Sequence, residues 1–242
     1  MDFSNRSYEM ELLDNTNVPF IDIKRNLQEL EFINKHLGGH RGTIKGLINL
    51  LPEWVKLKAE GDTLFICEIG CGGGDNLKAI DKWCSSKDIK TRFLGIDINK
   101  ECITYAKERN ASLESNWIIN DYRNVEFEYN PDIIFSSLFC HHFTDEELTS
   151  QFLWMKNNSR VGFFINDLHR HKLAYHSIAW LTKLFSRSYL VKNDAPLSVK
   201  RGFKKNDWVN LCQSAGITNY SIQWQWAFRW LVIVTNEQIN SH

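Results

Sequence analysis

Residues 64–76 decide the fold of this chain, and they read Leu-Phe-Ile-Cys-Glu-Ile-Gly-Cys-Gly-Gly-Gly-Asp-Asn. An apolar run rich in β-forming residues leads directly into a glycine cluster, and a helical pattern follows. This order of strand, tight turn and helix is typical of the first unit of a nucleotide-binding α/β sheet. Glycine has no Cβ, so Gly70 and Gly72 let the backbone turn sharply and leave room for a ligand. The free N–H groups at the start of the next helix are expected to face that ligand.

The spacing of the glycines separates the possible ligands. A dinucleotide fingerprint has its third glycine at the position where this chain has Asp75. The Gly-Lys-Ser/Thr ending of a triphosphate-binding loop is also missing from the sequence. What remains is an acidic residue followed by glycines at alternate positions: Glu68, Gly70, Gly72 and Gly74. These differences disfavour both a dinucleotide and a nucleoside triphosphate.

Length, charge and cysteine content limit the kind of protein. The chain has 242 residues with 29 basic and 29 acidic side chains, which suits one large α/β domain. Balanced charge argues against a protein that grips nucleic acid through its phosphates, so no nucleic-acid partner is expected. The six cysteines have no metal-ligand spacing and are predicted to be reduced core residues. The sequence shows neither a signal peptide nor a membrane-spanning run, which predicts a cytoplasmic protein, monomeric or homodimeric, without a membrane span.

Two helices are predicted before the glycine turn. Apolar residues recur at spacings of three and four over 21–37 and again over 43–58. Residues 1–19 are polar and are predicted to be a mobile arm or a loose cover. We therefore divide the chain into an N-terminal arm and helical lid, 1–60, and a sheet domain, 61–242.

Strands and helices alternate after the glycine turn, which predicts a parallel, doubly wound sheet with right-handed crossovers. The predicted strands are 64–69, 92–97, 116–120, 132–138 and 161–166, with helices at 75–84, 99–109 and 144–156.

The last third of the chain interrupts this alternation. The segments predicted there are a basic, aromatic helix (169–189), a loop (190–203), a helix (206–215) capped by Asn206, and two closing strands within 219–235. The predicted fold is therefore an α/β, Rossmann-like, doubly wound seven-stranded sheet with a C-terminal antiparallel hairpin. An N-terminal helical lid and a helix inserted after strand five, within about 168–204, complete it.

The glycine pattern from Glu68, together with the closing hairpin, resembles the class I S-adenosylmethionine-dependent methyltransferases. Narrower segments resemble bacterial small-molecule methyltransferases associated with type III polyketide synthases; they are Glu11-Leu-Leu-Asp14, Ile165-Asn-Asp-Leu-His-Arg-His171 and Asn193-Asp-Ala-Pro-Leu-Ser198. The resemblance implies S-adenosyl-L-methionine as cofactor, which carries an amino-acid tail and an adenosine but no phosphate. It also implies a small aromatic acceptor, phenolic or quinol-like and methylated most often on oxygen, in a pocket formed by the insertion.

Acidic and polar residues follow the predicted strands where such a cofactor would bind. Asp97 ends the second strand, where a nucleoside-binding sheet places a carboxylate against the ribose hydroxyls. Capping of the next helix is the alternative role for Asp97. The resemblance implies that Asp121 and Tyr122 contact the adenine. The alternative is that Asp121 forms an Asx turn and Tyr122 lies on the surface. The residues predicted to hold the cofactor are Glu68, Gly70, Cys71, Gly72, Asp97, Ile98, Asn120, Asp121, Tyr122 and Ser136.

Histidines after the fourth and fifth strands are candidates for a general base. Methyl transfer from a sulfonium needs in-line approach of the nucleophile. A phenol must also lose its proton, which suits a histidine with a pKa near ~6.5. We predict that His141 or His169 takes this proton, the alternative being that either ring only packs or caps. The residues predicted to contact the acceptor are Arg41, His142, His171 and Tyr175.

Other functions stay open at this point. Methylation of a quinol ring carbon uses the same base, and a non-catalytic protein that binds the cofactor for regulation keeps the same fold. A nicotinamide oxidoreductase is disfavoured by Asp75 and by the closing hairpin. Methylation of nucleic-acid amines is disfavoured because the fourth strand lacks the Asn/Asp-Pro-Pro-aromatic motif. The histidines lack His-x-x-x-His or Glu-x-x-His spacing, so no metal site is predicted.

Overall fold

A seven-stranded sheet runs through the centre of the computed structural model, which describes residues 2–14 and 18–236. The strands are β1 (Leu64–Ile69), β2 (Thr91–Asp97), β3 (Ser115–Ile119), β4 (Ile133–Ser137), β5 (Gly162–Leu168), β6 (Tyr220–Gln225) and β7 (Arg229–Thr235). Their order across the sheet is β3-β2-β1-β4-β5-β7-β6. The first five strands are parallel, and β7 runs antiparallel to both β5 and β6. The predicted α/β sheet with a closing antiparallel hairpin is confirmed.

Helices cover both faces of this sheet. They are α1 (Phe20–His36), α2 (Gly39–Leu57), α3 (Asp75–Ser85), α4 (Lys100–Arg109), α5 (Asp145–Asn158), α6 (Lys172–Phe185), α7 (Tyr189–Arg201) and α8 (Lys205–Ser214). Side chains alternate between the two faces along each strand, so each face builds its own apolar core. The helices α2 and α3 pack on one face, and α5 and α8 pack on the other.

The two N-terminal helices have different places. Apolar side chains of α2, among them Leu47 and Leu50, enter the core beneath the sheet. The helix α1 instead packs on α4, where Leu27 meets Cys102 and Tyr105. Leu27 also lies beside Gly72 and Gly73, so α1 borders the turn that follows β1, at the sheet edge where doubly wound folds bind ligands. The division into a lid, 1–60, and a sheet domain stays a prediction.

Two local predictions were wrong. The segment 190–203 was expected to be a loop, but most of it forms α7, with Pro196 inside the helix. Three polar residues of this segment, Asp194, Ser198 and Arg201, are buried and hydrogen-bonded. Asn206 is not the N-cap of α8, because that helix begins at Lys205.

The N-terminal arm is also more ordered than predicted. Phe3 is 6% exposed and Glu11 is 6% exposed, although both lie in a polar segment that was expected to be loose. A short 3-10 turn, Leu12–Asp14, follows Glu11 and lies against α7. The expected mobile arm is therefore a docked segment over residues 2–14. The part of the prediction that falls on residues 15–17 lies outside the described residues.

We expect Gly46→Ala to destabilise the protein, although alanine favours a helix by about 1 kcal/mol over glycine. A Cβ at Gly46 in α2 would lie 2.4 Å from the ring of Phe164 in β5, so the helix or the ring must move. Overpacking of this kind costs about 1–3 kcal/mol. Denaturant unfolding would measure the loss, with Asn49→Ala at an exposed site of the same helix as control. A Gly46→Ala variant as stable as the wild type would contradict this packing.

Candidate functional site

The glycine turn after β1 is open at only one of its two predicted glycines. Both Gly70 and Gly72 have left-handed backbone conformations, with φ of +65° and +50°. A Cβ at Gly70 would meet the ring of Phe139 at 2.1 Å, so that space is filled by the protein itself. A Cβ at Gly72 would meet only the side chain of Leu27, at 3.5 Å. Room for a ligand beside the turn therefore lies at Gly72.

Asp97 holds the end of β2 to this turn. Its Oδ2 accepts a hydrogen bond from the Gly72 N–H at 2.9 Å, and its Oδ1 accepts one from the Asn99 N–H at 2.8 Å. Asn99, not Asp97, caps α4, because the Asn99 side chain accepts from the first N–H groups of that helix. Burial raises the pKa of Asp97 above its ordinary value. The carboxylate thus sits at the mouth of the turn, held by backbone donors.

A small cavity of about 150 Å³ opens beside Asp97. Ile98 is 74% exposed at its rim, and Asn120 is exposed as well. Arg123 donates to both carboxylate oxygens of Asp121, which lowers the pKa of Asp121. The residues that line this cavity are Gly70, Ile96, Asp97, Ile98, Asn120, Asp121, Tyr122, Arg123, Phe139 and Phe143.

The remaining predicted cofactor residues lie deeper in the protein. The ring of Tyr122 is buried and packs edge-on against Phe139 and Trp154. Ser136 is fully buried, with its hydroxyl 3.4 Å from the sulfur of Cys140. Cys71 lies in the turn itself, and burial raises the pKa of its thiol well above the usual range. Neither Ser136 nor Cys71 lines a described cavity.

Glu68 anchors a buried polar network at the end of β1. Its Oε1 accepts from Asn76 at 2.9 Å, and Asn76 in turn accepts from Thr43 at 3.1 Å. Asn166 of β5 donates to Thr43 at 3.1 Å. The other carboxylate oxygen, Oε2, is buried and has no hydrogen-bond partner among the described residues. A buried acceptor left unpaired costs about 1–3 kcal/mol, so this position fits a ligand that brings a donor.

A larger cavity of about 350 Å³ lies on the other side of the turn at 138–139. Leu138 lines this cavity and the adjacent Phe139 lines the small one, so the two cavities are neighbours. Most of its lining residues are apolar, and α1, α6 and α7 contribute about half of these apolar side chains. Its ionisable residues are Glu11, His141, His142, Asp194 and Arg229.

His141 is clamped between two carboxylates in the wall of this cavity. Its Nδ1 is 2.8 Å from Oδ1 of Asp167, and its Nε2 is 3.5 Å from Oε1 of Glu11. Burial by itself would lower the pKa of His141, but the charges and hydrogen bonds of Asp167 and Glu11 outweigh it and raise the pKa to about 9. The neighbouring His142 is less buried. Its Nδ1 is 3.0 Å from Oδ1 of Asp14, and its Nε2 is 3.8 Å from Oε2 of Glu11.

Polar residues of α7 hold the arm that carries Glu11. The carboxylate of Asp194 accepts from the backbone N–H groups of Leu12 and Leu13 at 2.8 and 3.0 Å. Ser198 donates to Glu11 at 2.7 Å. Arg201 of the same helix also contacts the arm.

The guanidinium of Arg201 joins the arm to the histidine turn. Its Nε donates to the His141 carbonyl at 3.0 Å, and its Nη1 donates to the Glu9 carbonyl at 2.7 Å. The same Nη1 lies 3.4 Å from Oδ2 of Asp14.

The structure does not bring His169 to this cavity. The ring packs edge-on against Trp230, and its Nδ1 accepts from the indole N–H of Trp224 at 3.3 Å. Burial and the positive charges of His171 and Arg170 lower the pKa of His169 to about 4. His169 therefore lies outside the lining of this cavity, although the adjacent Leu168 is part of it.

Three of the four predicted acceptor contacts also lie elsewhere. Arg41 is exposed on α2. His171 caps α6 by accepting from the Leu173 N–H, and Tyr175 packs against Phe3. Only His142 of this group lines the larger cavity.

Arg229 was missed from the sequence. It is 2% exposed, yet its guanidinium lines the larger cavity. Its Nη2 donates to Asn34 at 2.9 Å, while Nη1 has no hydrogen-bond partner among the described residues. Burial lowers its pKa to about 10. A lone arginine at a strand start has no distinguishing pattern, so no sequence signal marked it.

The fold and the site together define a class of protein. A parallel sheet closed by an antiparallel pair, with an acidic strand end beside an open glycine turn, is the arrangement of class I methyltransferases. Comparison with known proteins agrees with this class. Residues 66–160 match a family model described as a methyltransferase domain. No curated protein matches the chain in sequence.

Solved structures of methyltransferases share the fold. The plantazolicin methyltransferase BpumL, solved with SAH, has a TM-score of 0.59 at 16% identity, covering 90% of this chain and 96% of its own. The magnesium protoporphyrin IX methyltransferase ChlM from Synechocystis PCC 6803, solved with SAM, has a TM-score of 0.59 at 11% identity, and the match covers 93% of this chain and 94% of ChlM. Human N-acetylserotonin methyltransferase, solved with SAM, has a TM-score of 0.63 at 14% identity, and the match covers 97% of this chain and 63% of the human enzyme.

These observations establish the general activity. The chain contains a methyltransferase domain, and the protein is an S-adenosylmethionine-dependent methyltransferase. Over residues 2–14 and 18–236, no helix combines the length and apolar character needed to cross a membrane.

We expect Arg201→Ala to release the arm from α7. The substitution removes two charged hydrogen bonds, each worth about 1.5–3 kcal/mol, which join Arg201 to Glu9 and His141. Hydrogen exchange of the amides over residues 2–14 should then become faster by at least about ten-fold, while the strands stay protected. Lys200→Ala removes only a partly exposed ion pair with Glu9 and serves as control. Unchanged protection of the arm in Arg201→Ala would show that other contacts hold it.

Proposed function

We propose that this enzyme transfers a methyl group to the hydroxyl oxygen of a small aromatic acceptor, phenolic or quinol-like. The observation that carries the proposal is the pair of neighbouring cavities on either side of Leu138 and Phe139. The smaller is lined by strand ends and the glycine turn. The larger is apolar with a histidine-bearing wall, and its volume of about 350 Å³ suits a small molecule.

The residues around the smaller cavity fit the cofactor, which supplies an electrophilic methyl group on a sulfonium. Glu68 does not line this cavity but lies two residues before Gly70, which does, and its unpaired buried oxygen suits the ammonium group of the methionine tail. Asp97, fixed by backbone donors, is proposed to accept from the ribose hydroxyls. The adenine would lie in the small cavity, with Ile98 at its rim and Asp121 as a hydrogen-bond acceptor.

The larger cavity has the composition expected for an aromatic acceptor. Leu30 and Ile33 of α1 line it together with Ile178 and Leu181 of α6, so a ring would contact apolar side chains. The solved methyltransferases that share this fold are named for different acceptors: plantazolicin, magnesium protoporphyrin IX and N-acetylserotonin. The shared fold therefore does not identify the acceptor of this protein. The link to type III polyketide synthases, the cytoplasmic location and the monomeric or homodimeric state stay predictions.

We assign activation of the acceptor hydroxyl to the wall formed by His141, His142 and Glu11. These residues are able to take up or stabilise the charge of a departing proton, whereas both carboxylate oxygens of Asp194, which also lines the cavity, accept hydrogen bonds from the arm. His142 is the proposed base of this wall, because a pKa of about 9 keeps His141 protonated near neutral pH. His169 is set aside because its ring lies outside the cavity and its pKa is lowered to about 4.

A panel of phenols, quinols and alkylresorcinols tests the reaction. Each would be incubated with the enzyme and labelled S-adenosylmethionine, and the products identified by mass spectrometry. We expect O-methyl ethers. Ring-methylated products would move the assignment to carbon, and no turnover across the panel would exclude this class of acceptor.

We expect Asp97→Asn to weaken S-adenosylmethionine binding by on the order of ten-fold or more, because a charged acceptor for the ribose is lost. Isothermal calorimetry measures the affinity directly. Asp62→Asn, at an exposed carboxylate before β1, should bind the cofactor like the wild type. Equal affinities for Asp97→Asn and the wild type would remove Asp97 from the cofactor site.

We expect His142→Ala to slow turnover by roughly two orders of magnitude, with cofactor affinity unchanged. His169→Ala should keep most of the turnover, since its ring lies outside the cavity. Steady-state rates with the best acceptor of the panel measure both. If His169→Ala loses turnover and His142→Ala keeps it, then His169 at the end of β5 is the proton acceptor.

A further inference from the structure

Glu11, His141 and His142 form a compact group at the wall of the larger cavity, here named the histidine–glutamate cluster. One donor atom from each lies within 4.8 Å of the others. The Nε2 atoms of the two histidines are 3.5 and 3.8 Å from the oxygens of Glu11. Both distances exceed the usual range of about 2.7–3.2 Å for a nitrogen–oxygen hydrogen bond. The three side chains therefore converge on a common point without closing tight hydrogen bonds to one another.

A second carboxylate lies beside the Nδ1 atom of each histidine. Nδ1 of His141 is 2.8 Å from Asp167, and Nδ1 of His142 is 3.0 Å from Asp14. A carboxylate hydrogen-bonded to Nδ1 holds the proton there, so Nε2 is the donor atom left for a metal once the ring is neutral. His141 has this hydrogen bond, whereas Nδ1 of His142 has no hydrogen-bond partner among the described residues. The Nε2 atoms of both rings lie beside Glu11.

The charges around the cluster favour a cation. Glu11 is 6% exposed and Asp167 is fully buried, so water screens neither carboxylate well. With neutral imidazoles, the carboxylates outnumber the guanidiniums that face the cluster from the packed elements. These groups are Glu11 and Asp14 of the arm, Asp167 of β5, Asp194 and Arg201 of α7, and Arg229 of β7.

We propose that Glu11, His141 and His142 bind one divalent transition-metal ion, with zinc as the best match. Two imidazoles and one carboxylate form a common ligand set for catalytic zinc, in which the fourth position stays open. Here the open position faces the larger cavity, where the proposed function puts the acceptor hydroxyl. An ion at this place lowers the pKa of an oxygen that it binds. This inference deepens the proposed function in its choice of acceptor, but ion binding does not depend on that function.

Metal titration of the full chain tests the proposal. Protein purified without a metal-affinity tag is treated with a chelator, dialysed, and titrated with Zn²⁺ by calorimetry. We expect one ion per chain. Co²⁺ in place of Zn²⁺ should produce the visible absorption of a four- or five-coordinate site with nitrogen and oxygen ligands.

Two variants and one matched control assign the ligands. Glu11→Gln and His142→Gln should each weaken Zn²⁺ binding by at least ten-fold, and their far-UV spectra and melting curves report whether they fold. The control is the double variant His169→Gln, His171→Gln. It removes a histidine pair whose ring centroids are 5.3 Å apart but which lies outside the cavity. We expect it to keep the stoichiometry and affinity of the wild type.

The outcomes separate this inference from the proposed function. Absence of stoichiometric binding and of the Co²⁺ absorption by the wild type would overturn the metal site. Binding that survives in Glu11→Gln and His142→Gln but is lost in the His169, His171 control would do the same. O-methylation of phenols by chelator-treated enzyme, without Zn²⁺ binding, would leave the proposed function intact. Zn²⁺ binding without turnover of any phenol would leave the metal site intact and exclude the acceptor class.

Discussion

Three buried ionisable groups in contact, Asp167, His141 and Glu11, fix how the N-terminal arm packs against the ends of β4 and β5. Charges removed from water are costly unless they are paired and hydrogen-bonded. Asp167 comes from the end of β5, His141 from the turn after β4, and Glu11 from the N-terminal arm. All three are less than a tenth exposed, so none has bulk water as an alternative partner. The arm must therefore dock before the site at the sheet edge is complete.

The helix α7 makes this docking possible. Asp194, Ser198 and Arg201 face inward from α7 and bind the backbone and side chains of the arm. In the interior of a protein such polar groups are tolerated because each finds a partner. The arm and α7 together build one wall of the larger cavity, while α1 and α6 supply apolar walls. A segment that looks like a loose extension thus supplies Glu11, the carboxylate that lies beside both cavity histidines.

The sequence predicted the sheet well because its signals are local. The alternation of apolar residues and the glycine turn placed β1 to β5 within one or two residues of their observed bounds. It failed at α7, where Asn193, Asp194 and Pro196 are typical of a loop. Asp194 is stable inside the helix because it binds the backbone of the arm, which a local pattern does not reveal. Likewise, the histidines after β4 and β5 looked equivalent, yet only His141 and His142 line the cavity.

By itself, the sequence determined a doubly wound sheet, a ligand-binding glycine turn and an acidic residue at the end of β2. Each of these follows from spacing within a few dozen residues. Only the tertiary structure decided that Glu11 meets His141 and His142, which lie far along the chain, and that Arg229 enters the same cavity. The absence of metal-ligand spacing in the sequence was therefore no guide to the donor atoms that meet there. Contacts between distant segments depend on how α7 packs against the sheet edge, and no short-range periodicity encodes that packing.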